Sequence, residues 1–514
     1  MKNRNWLIYT LAFVKLVTPF LLQNPIYEPH RDEMLYLAEG SHMAWGFMEV
    51  PPMLSVFAWL IHIFGDGLFW VKFWPSFFGA LTYLFTGKII TSLGGKAFSL
   101  LLGFLPFIFG SYLRVHFLFQ PNFLEIFFWT LLAYTLIRFI QSEETKWLYW
   151  FGICCGLGMQ SKYSVAFFII SILLGLALTR QRKIFTNKHF YFSALAGLFI
   201  FLPNLIWQYK QHFPFVFHME KLQRTQLQYI SPASFLIDQL IMNFPCVFIW
   251  LTGLWAVFFV KKLKNYRFIG CAYFCVIGLL LLGHGKNYYA LGAYPVLFAF
   301  GAYQLEQLTA LRFTKIRYVL FSIPVLLGYW LIPIALPVME PAPLADFYEK
   351  RNVKKLGVLN WEDGKSHPLP QDFADMLGWE EMAQKMAKAY NTLDSNEKKN
   401  TLLFCDNYGQ AGAINYYRKK YHLPEAFSDN ASFLYWMPDS LHFDNILLLT
   451  DDEKEMEHPF LKNFSSVILS DSITNRYARE KGDLILLLKG MNETMRQAFK
   501  EKIRKAKAEV APLP

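Results

Sequence analysis

Six carboxylates, Glu28, Asp32, Glu33, Glu39, Glu49 and Asp66, fall in one segment of a stretch otherwise short of acid. Residues 1–337 contain 12 Asp and Glu, and half of them are here. A carboxylate placed in this way can take a proton from a hydroxyl that is a poor nucleophile near neutral pH. It can also offer hard oxygen ligands to a divalent cation. Asp32 and Glu33 are the most telling pair, because they follow directly on an apolar run. An anion there gains nothing from lipid and needs a partner or a helix N-terminus. Glu39, Glu49 and Asp66 are expected to be solvated.

Composition defines the elements that must hold these acids. The chain has 514 residues, 54% of them apolar, with 51 Phe and a mean hydropathy of +0.24. Apolar runs near the ~20 residues that cross a bilayer recur through two thirds of it. About eleven spans are expected, near 6–24, 68–92, 97–113, 121–139, 147–160, 163–179, 189–208, 234–260, 266–283, 287–305 and 316–337. The net charge of +11 divides unevenly. Residues 338–514 hold 24 basic against 27 acidic residues, net −3, and the rest hold 26 against 12, net +14. The excess sits in alternate short loops of the membrane part, as the positive-inside rule requires, and not in a nucleic-acid footprint. With Lys2 and Arg4 in the cytoplasm, Lys96, Arg138, Lys146, Arg180, Lys183, Lys188, Lys261, Lys264, Arg267, Arg312 and Arg317 all fall on that side. The acid-rich loop 25–67, Arg114, the 209–233 loop, Lys286 and the C-terminal third then face outward.

Within the acidic loop, apolar residues recur at helical spacing from Asp32 to about Trp45, and Pro51-Pro52 opens a second short apolar segment. The spacing predicts a helix on the membrane surface. Of six cysteines, five lie in expected spans and Cys405 stands alone, so no disulfide framework is implied. After Pro337 the pattern changes. Pro341 and Pro343 mark a linker, and apolar runs TLLFCD, NILLLT, SVILS and DLILLL alternate with helical stretches near 379–391, 409–420 and 492–508. This predicts a small α/β layer domain over 338–514. Asp406-Asn407-Tyr408-Gly409-Gln410 sits at a strand end before a helix, as a binding site or as a structural turn.

The order of these motifs resembles glycosyltransferase family 39, the protein O-mannosyltransferase and aminoarabinose-transferase relatives that use polyprenyl-phosphate sugars. Its features are the Asp32-Glu33 pair after the first span, Trp45-Gly46, Pro51-Pro52, and Gly65-Asp66 before the second span. Gly156-Leu157-Gly158 with Ser161-Lys162-Tyr163, Gly285-Lys286-Asn287-Tyr288-Tyr289 with Tyr294-Pro295, LPQDFADMLGWEEM and DNYGQAGAINYY complete it. The resemblance implies a polytopic α-helical membrane protein with the multi-span C-type glycosyltransferase fold and an extracytoplasmic α/β domain in a bacterial inner membrane. It implies inverting transfer of one sugar from a polyprenyl phosphate to an acceptor hydroxyl on a protein or a glycolipid, with Asp32 as general base and Glu33 beside it. Glu125 stands where the family often has Asp, with Asn122 close by, and serves either the active-site cavity or a pair with Arg114. Lys286 matches a position associated with donor phosphate, with Tyr288 and Tyr289 following. Lys162, Arg114, His218, Lys221 and Arg224 are further cations for the departing phosphate, or snorkel to lipid headgroups. A divalent Mg, Mn or Zn ion on Asp32, Glu33 and His30 is an open expectation. A transporter or flippase would show internal repeats and matching broken helices in two halves, which the sequence lacks. An oligosaccharide-transferring ligase is the nearest alternative enzyme.

Overall fold

A computed structural model describes residues 5–310, 313–438, 443–452 and 454–510. Lys2, Arg4 and Arg312 lie outside these. The membrane part begins with α1 (Asn5–Leu22), followed by two helices in the acidic loop, α2 (Arg31–Ser41) and α3 (Met53–Ile63). Next come α4 (Leu68–Ser92), α5 (Ala97–Phe109), α6 (Asn122–Ser142), α7 (Lys146–Ser161), α8 (Val165–Ala177) and α9 (Lys188–Lys210). The outer segment after α9 forms α10 (Pro214–Thr225) and α11 (Pro232–Ile241), and the series closes with α12 (Val247–Phe259), α13 (Arg267–Leu282), α14 (Tyr294–Leu308) and α15 (Ile316–Ala335). Every expected span has its helix. The eighth is divided, because residues 242–246 leave the helix between α11 and α12. The tenth opens with a 3-10 turn, Asn287–Ala293.

Among the described residues, five helices are long and apolar enough to cross a membrane, and a sixth is counted if α8 joins the turn Arg180–Thr186 across a 106° bend. The shorter helices are held by packing. α6 is the buried centre, with 78% of its apolar window inside the protein, while only 11% of that of α15 is enclosed. Leu326 and Tyr329 of α15 and Phe199 of α9 are left to lipid. The glycines of α7 serve close approach, since a Cβ at Gly152 would stand 1.9 Å from the Ser193 carbonyl oxygen of α9.

The outer domain carries a five-stranded sheet in the order β2-β1-β3-β5-β4, from β1 (Thr401–Cys405), β2 (Ala426–Phe427), β3 (Asn445–Thr450), β4 (Phe464–Ser472) and β5 (Leu484–Met491). β1 runs parallel to β2 and β3, and β5 is antiparallel to both its neighbours. Helices α16 (Trp379–Tyr390), α17 (Tyr408–Tyr421) and α18 (Glu493–Val510) pack on it. The expected linker is instead helical, as Pro341 starts a helix that runs to Lys350; proline suits that first position because its missing N–H has no partner to lose.

The domain is clamped to the acidic loop. Glu28 accepts the backbone N–H groups of Trp379 (3.0 Å) and Glu380 (2.6 Å) and the Tyr417 hydroxyl (2.8 Å), an anion on the N-terminus of α16. α17 lies against α2 so closely that a Cβ on Gly412 would stand 2.7 Å from that of Met34.

Candidate active site

His30 caps α2. Its Nδ1 accepts the Asp32 N–H (3.1 Å), and the Glu33 carboxylate accepts the His30 N–H (2.7 Å), a reciprocal capping box. Glu33 also accepts the Phe119 N–H (2.5 Å) and both of its oxygens take the Lys72 ammonium (2.8 and 2.6 Å). Both partners of that pair are fully enclosed. Glu33 is therefore committed to tying α2, α4 and the 116–121 turn together. Asp32, one residue earlier, points to the cavity. Its Oδ1 accepts the Tyr408 hydroxyl (2.7 Å) and its Oδ2 accepts the Gln120 amide (3.1 Å).

Gln120 is itself held. Its Oε1 accepts from the Asn122 amide (3.2 Å), whose Oδ1 accepts the Lys162 ammonium (2.7 Å). Lys162 also reaches Glu125 (2.7 Å), which takes the Ser164 hydroxyl (2.5 Å), and it lies 4.4 Å from the centre of the Tyr289 ring. An ammonium only donates. With Lys162 at one end, each amide is obliged to accept behind and donate ahead, and Gln120 presents an N–H to Asp32. Lys162→Met removes the donor that sets this order. Turnover by the variant is expected to fall about tenfold to a hundredfold with the fold intact, as read from initial rates and thermal midpoint together. Glu125 thus joins Lys162 behind the site and does not pair with Arg114, which bonds Asp372 of the outer domain.

Asp32 opens on a cavity of about 1120 Å³. Its polar lining includes Arg31, Arg114, Lys286, Tyr288 and Arg479 with Asp32, Glu362, Asp372 and Asp375. Its apolar lining includes Phe109 of α5, Met242 and Phe244 at the α11–α12 break, Val247 of α12, and Trp330 and Leu331 of α15. The break in the eighth span thus shapes the cavity. Lys286 is positioned by its neighbour, since Asn287 donates to Asp238 (3.0 Å) and its carbonyl accepts from Gln239 (3.2 Å), both on α11. Burial pushes the Lys286 amine below its usual range, and Glu362 and Asp32 partly restore it. Arg224 does not join this group; it is exposed on α10 beside Glu220 (3.9 Å). A carboxylate held by two neutral donors, cations within the same chamber and an apolar lining suit a reaction that takes a proton from a hydroxyl and receives an anion carrying a long apolar group.

Residues 49–207 match the family described as dolichyl-phosphate-mannose-protein mannosyltransferase. The matched stretch holds Asn122, Glu125 and Lys162, while Asp32 and Lys286 lie outside it. The fold is similar to that of ArnT from Cupriavidus metallidurans bound to undecaprenyl phosphate, with a TM-score of 0.62 at 11% identity over 94% of this chain and 98% of the other. The apo state of the same protein gives the same score and identity over 95% and 98%. A search of the curated proteins found no match.

The cavity is also lined by Gln120, Asp372, Asp375 and Arg479, which the sequence did not mark as site residues, and by Tyr408 of the turn that it did. The DNYGQ turn was the available signal: Asn407 caps α17 while Tyr408 reaches Asp32, so the turn is structural and part of the site at once. Of the metal candidates, Glu33 has its oxygens occupied by Lys72, Phe119 and His30. His30 belongs to a different group, with ligand atoms of Asp372 and Asp375 within 4.8 Å of one another. Those acids already pair with Arg114 and, at 3.3 Å, with Arg479. His30 Nδ1 accepts the Asp32 N–H, and its Nε2 stands 3.7 Å from an Asp375 carboxylate oxygen. Among the described residues, the group whose ligand atoms lie close enough for a cation is thus His30, Asp372 and Asp375, and not the expected Asp32, Glu33 and His30.

Glu39, Glu49 and Asp66 are not solvated as expected. Asp66 bonds His62 and Lys419 (2.9 Å), Glu39 is wholly enclosed, and Glu49 accepts the Ser432 hydroxyl (2.5 Å). The docked outer domain supplies the partners of Asp66 and Glu49. Burial raises the Glu49 carboxyl from 4.5 to about 7. A raised acid weakens the fold as pH climbs from the unfolded value through the folded one, because the unfolded chain releases the proton first. Glu49→Gln is therefore expected to raise the thermal midpoint near pH 8 and leave it unchanged at about pH 4.

Proposed function

We propose that this protein transfers a monosaccharide from a polyprenyl-phosphate donor to an acceptor hydroxyl at the outer face of a bacterial inner membrane, with inversion. The observation that carries this reading is Asp32, held by neutral donors in a chamber lined both by cations and by apolar side chains. Asp32 takes the acceptor proton as the acceptor oxygen attacks the anomeric carbon. The bond from that carbon to the phosphate oxygen breaks, and the lipid phosphate leaves with its charge met by Lys286, and by Arg114 and Arg31 at the chamber wall. A single displacement with one carboxylate as base inverts the anomeric centre, whereas retention needs a nucleophilic carboxylate opposite the acid.

The prenyl chain lies along Phe109, Phe244 and Trp330. Tyr288 lines the donor side, and Lys162, Glu125 and Tyr289 act from behind through Asn122 and Gln120. The N-terminus is cytoplasmic and the α/β domain extracytoplasmic, consistent with the basic loops. The ArnT structure holding undecaprenyl phosphate has the same fold, which supports a prenyl-phosphate donor here, and a protein or glycolipid supplies the hydroxyl. Purified protein in detergent, given a panel of undecaprenyl-phosphate monosaccharides and a membrane extract as acceptor, is expected to release undecaprenyl phosphate and label an acceptor. Release with none of the donors would sink the reading.

A further inference from the structure

Asp32 faces the chamber with a donor already on each oxygen, and the two donors differ in kind. The Gln120 amide is fixed from behind by Asn122 and Lys162, as described above. The Tyr408 hydroxyl donates to Asp32 Oδ1 at 2.7 Å. A hydroxyl can rotate about its own bond and accept as well as donate. Its ring is placed from the outer domain, at the first residue of α17, with the Arg31 guanidinium 5.2 Å from its centre. Gly409, the next residue, leaves room for Arg31, whose Cγ would stand 2.6 Å from a Cβ there. The phenol therefore takes up one of the lone-pair sites of Oδ1, so an incoming hydroxyl must share that oxygen with it or displace it to surrender its proton.

Water is the other hydroxyl that can reach Asp32, and at bulk concentration it competes with any acceptor. A phenol is far more acidic than water, so it is the stronger donor to a carboxylate. Burial and the neighbouring Asp32 push the Tyr408 phenol well above its usual value, so it remains a protonated donor rather than a second anion.

We propose that Tyr408 guards Asp32 against water: its hydroxyl holds Oδ1 until an acceptor hydroxyl displaces it, so the donor sugar is transferred rather than hydrolysed. This rests on the reading of Asp32 as the base. In the suppressed reaction a water oxygen bonds to the anomeric carbon, the carbon–oxygen bond to the phosphate breaks, and the water proton passes to Asp32. Free sugar and lipid phosphate are the products, with no oxidant or other co-reactant.

The test is product partition in the full-length protein with undecaprenyl-phosphate monosaccharides, with and without membrane extract, counting free sugar, labelled acceptor and lipid phosphate. Tyr408→Phe is expected to raise the ratio of free sugar to labelled acceptor about tenfold, the worth of one hydrogen bond. Tyr408→Met, which also lacks the hydroxyl, should move it the same way, and a thermal midpoint for each variant identifies any loss of fold. Asp32→Asn combined with Tyr408→Phe should abolish the added free sugar. An unchanged ratio in folded Tyr408→Phe, or a fall in transfer with no gain in free sugar, overturns the guard while leaving the base in place. Added hydrolysis that survives Asp32→Asn overturns it too, because water is then activated elsewhere. If Asp32→Asn alone leaves wild-type transfer, the underlying reading fails and the guard with it.

Discussion

Asp32→Asn is expected to lower sugar transfer by about 10²- to 10⁴-fold, the range over which a positioned general base contributes. The substitution is close to isosteric. Its amide oxygen can still accept from Gln120, and its amide nitrogen can donate to the Tyr408 hydroxyl, which accepts as readily as it donates. Both neighbours keep a partner, so the thermal midpoint should stay near that of the parent while the rate collapses. The loss should appear in kcat with little change in KM, because the proton is taken only in the transition state. A variant that transfers sugar at the parental rate would remove Asp32 from the chemistry and leave the chamber in need of another base.

The largest effect on stability is expected one residue further along. Glu33→Gln leaves the Lys72 ammonium enclosed without its counter-charge, and breaking a buried pair in this way costs about 3–5 kcal/mol. The loss is specific to the half-broken state. Glu33→Gln combined with Lys72→Met removes both charges and should recover most of the lost stability, since a matched apolar and neutral pair needs no counter-ion. Thermal unfolding in detergent of the parent, the two single variants and the double variant measures the coupling directly. Additive losses would show that the two side chains do not stabilise one another. Unchanged stability of Glu33→Gln, with transfer abolished, would return Glu33 to the chemistry. Adjacent residues Asp32 and Glu33 thus have opposite expected signatures, rate for one and stability for the other, because successive side chains on α2 face different surroundings.

Much of this protein was legible in one dimension. Apolar run length located each membrane helix, and charge between the runs separated the membrane part from the outer domain. The alternation of apolar strands with helical stretches anticipated β1, β3, β4 and β5 with α16, α17 and α18. The crowding of acids into residues 28–66 marked Asp32 as the residue to watch, and Lys286 stands in the same cavity. These are local properties, set by side-chain type and spacing along a few turns of chain.

Partners are not local. Tyr408 meets Asp32 across 376 residues, and Glu28 meets the N-terminus of α16 across more than 350. Nothing in the acidic loop says that Gly412 will let α17 lie on α2, that Glu39 will be buried, or that Glu33 will be taken by Lys72. The metal expectation moved to other residues for the same reason. His30, Asp32 and Glu33 are neighbours in sequence, but the capping of α2 commits His30 Nδ1 to the Asp32 N–H and sends the two carboxylates to different partners, and the group with ligand spacing is His30 with Asp372 and Asp375. Arg224 had the right charge in the right loop, and α10 carries it away from the chamber. The sequence by itself determined the class of molecule and which residue types were available for chemistry. Only the tertiary structure decided which of them share a chamber, because that depends on where backbones approach closely enough to bring distant side chains into contact.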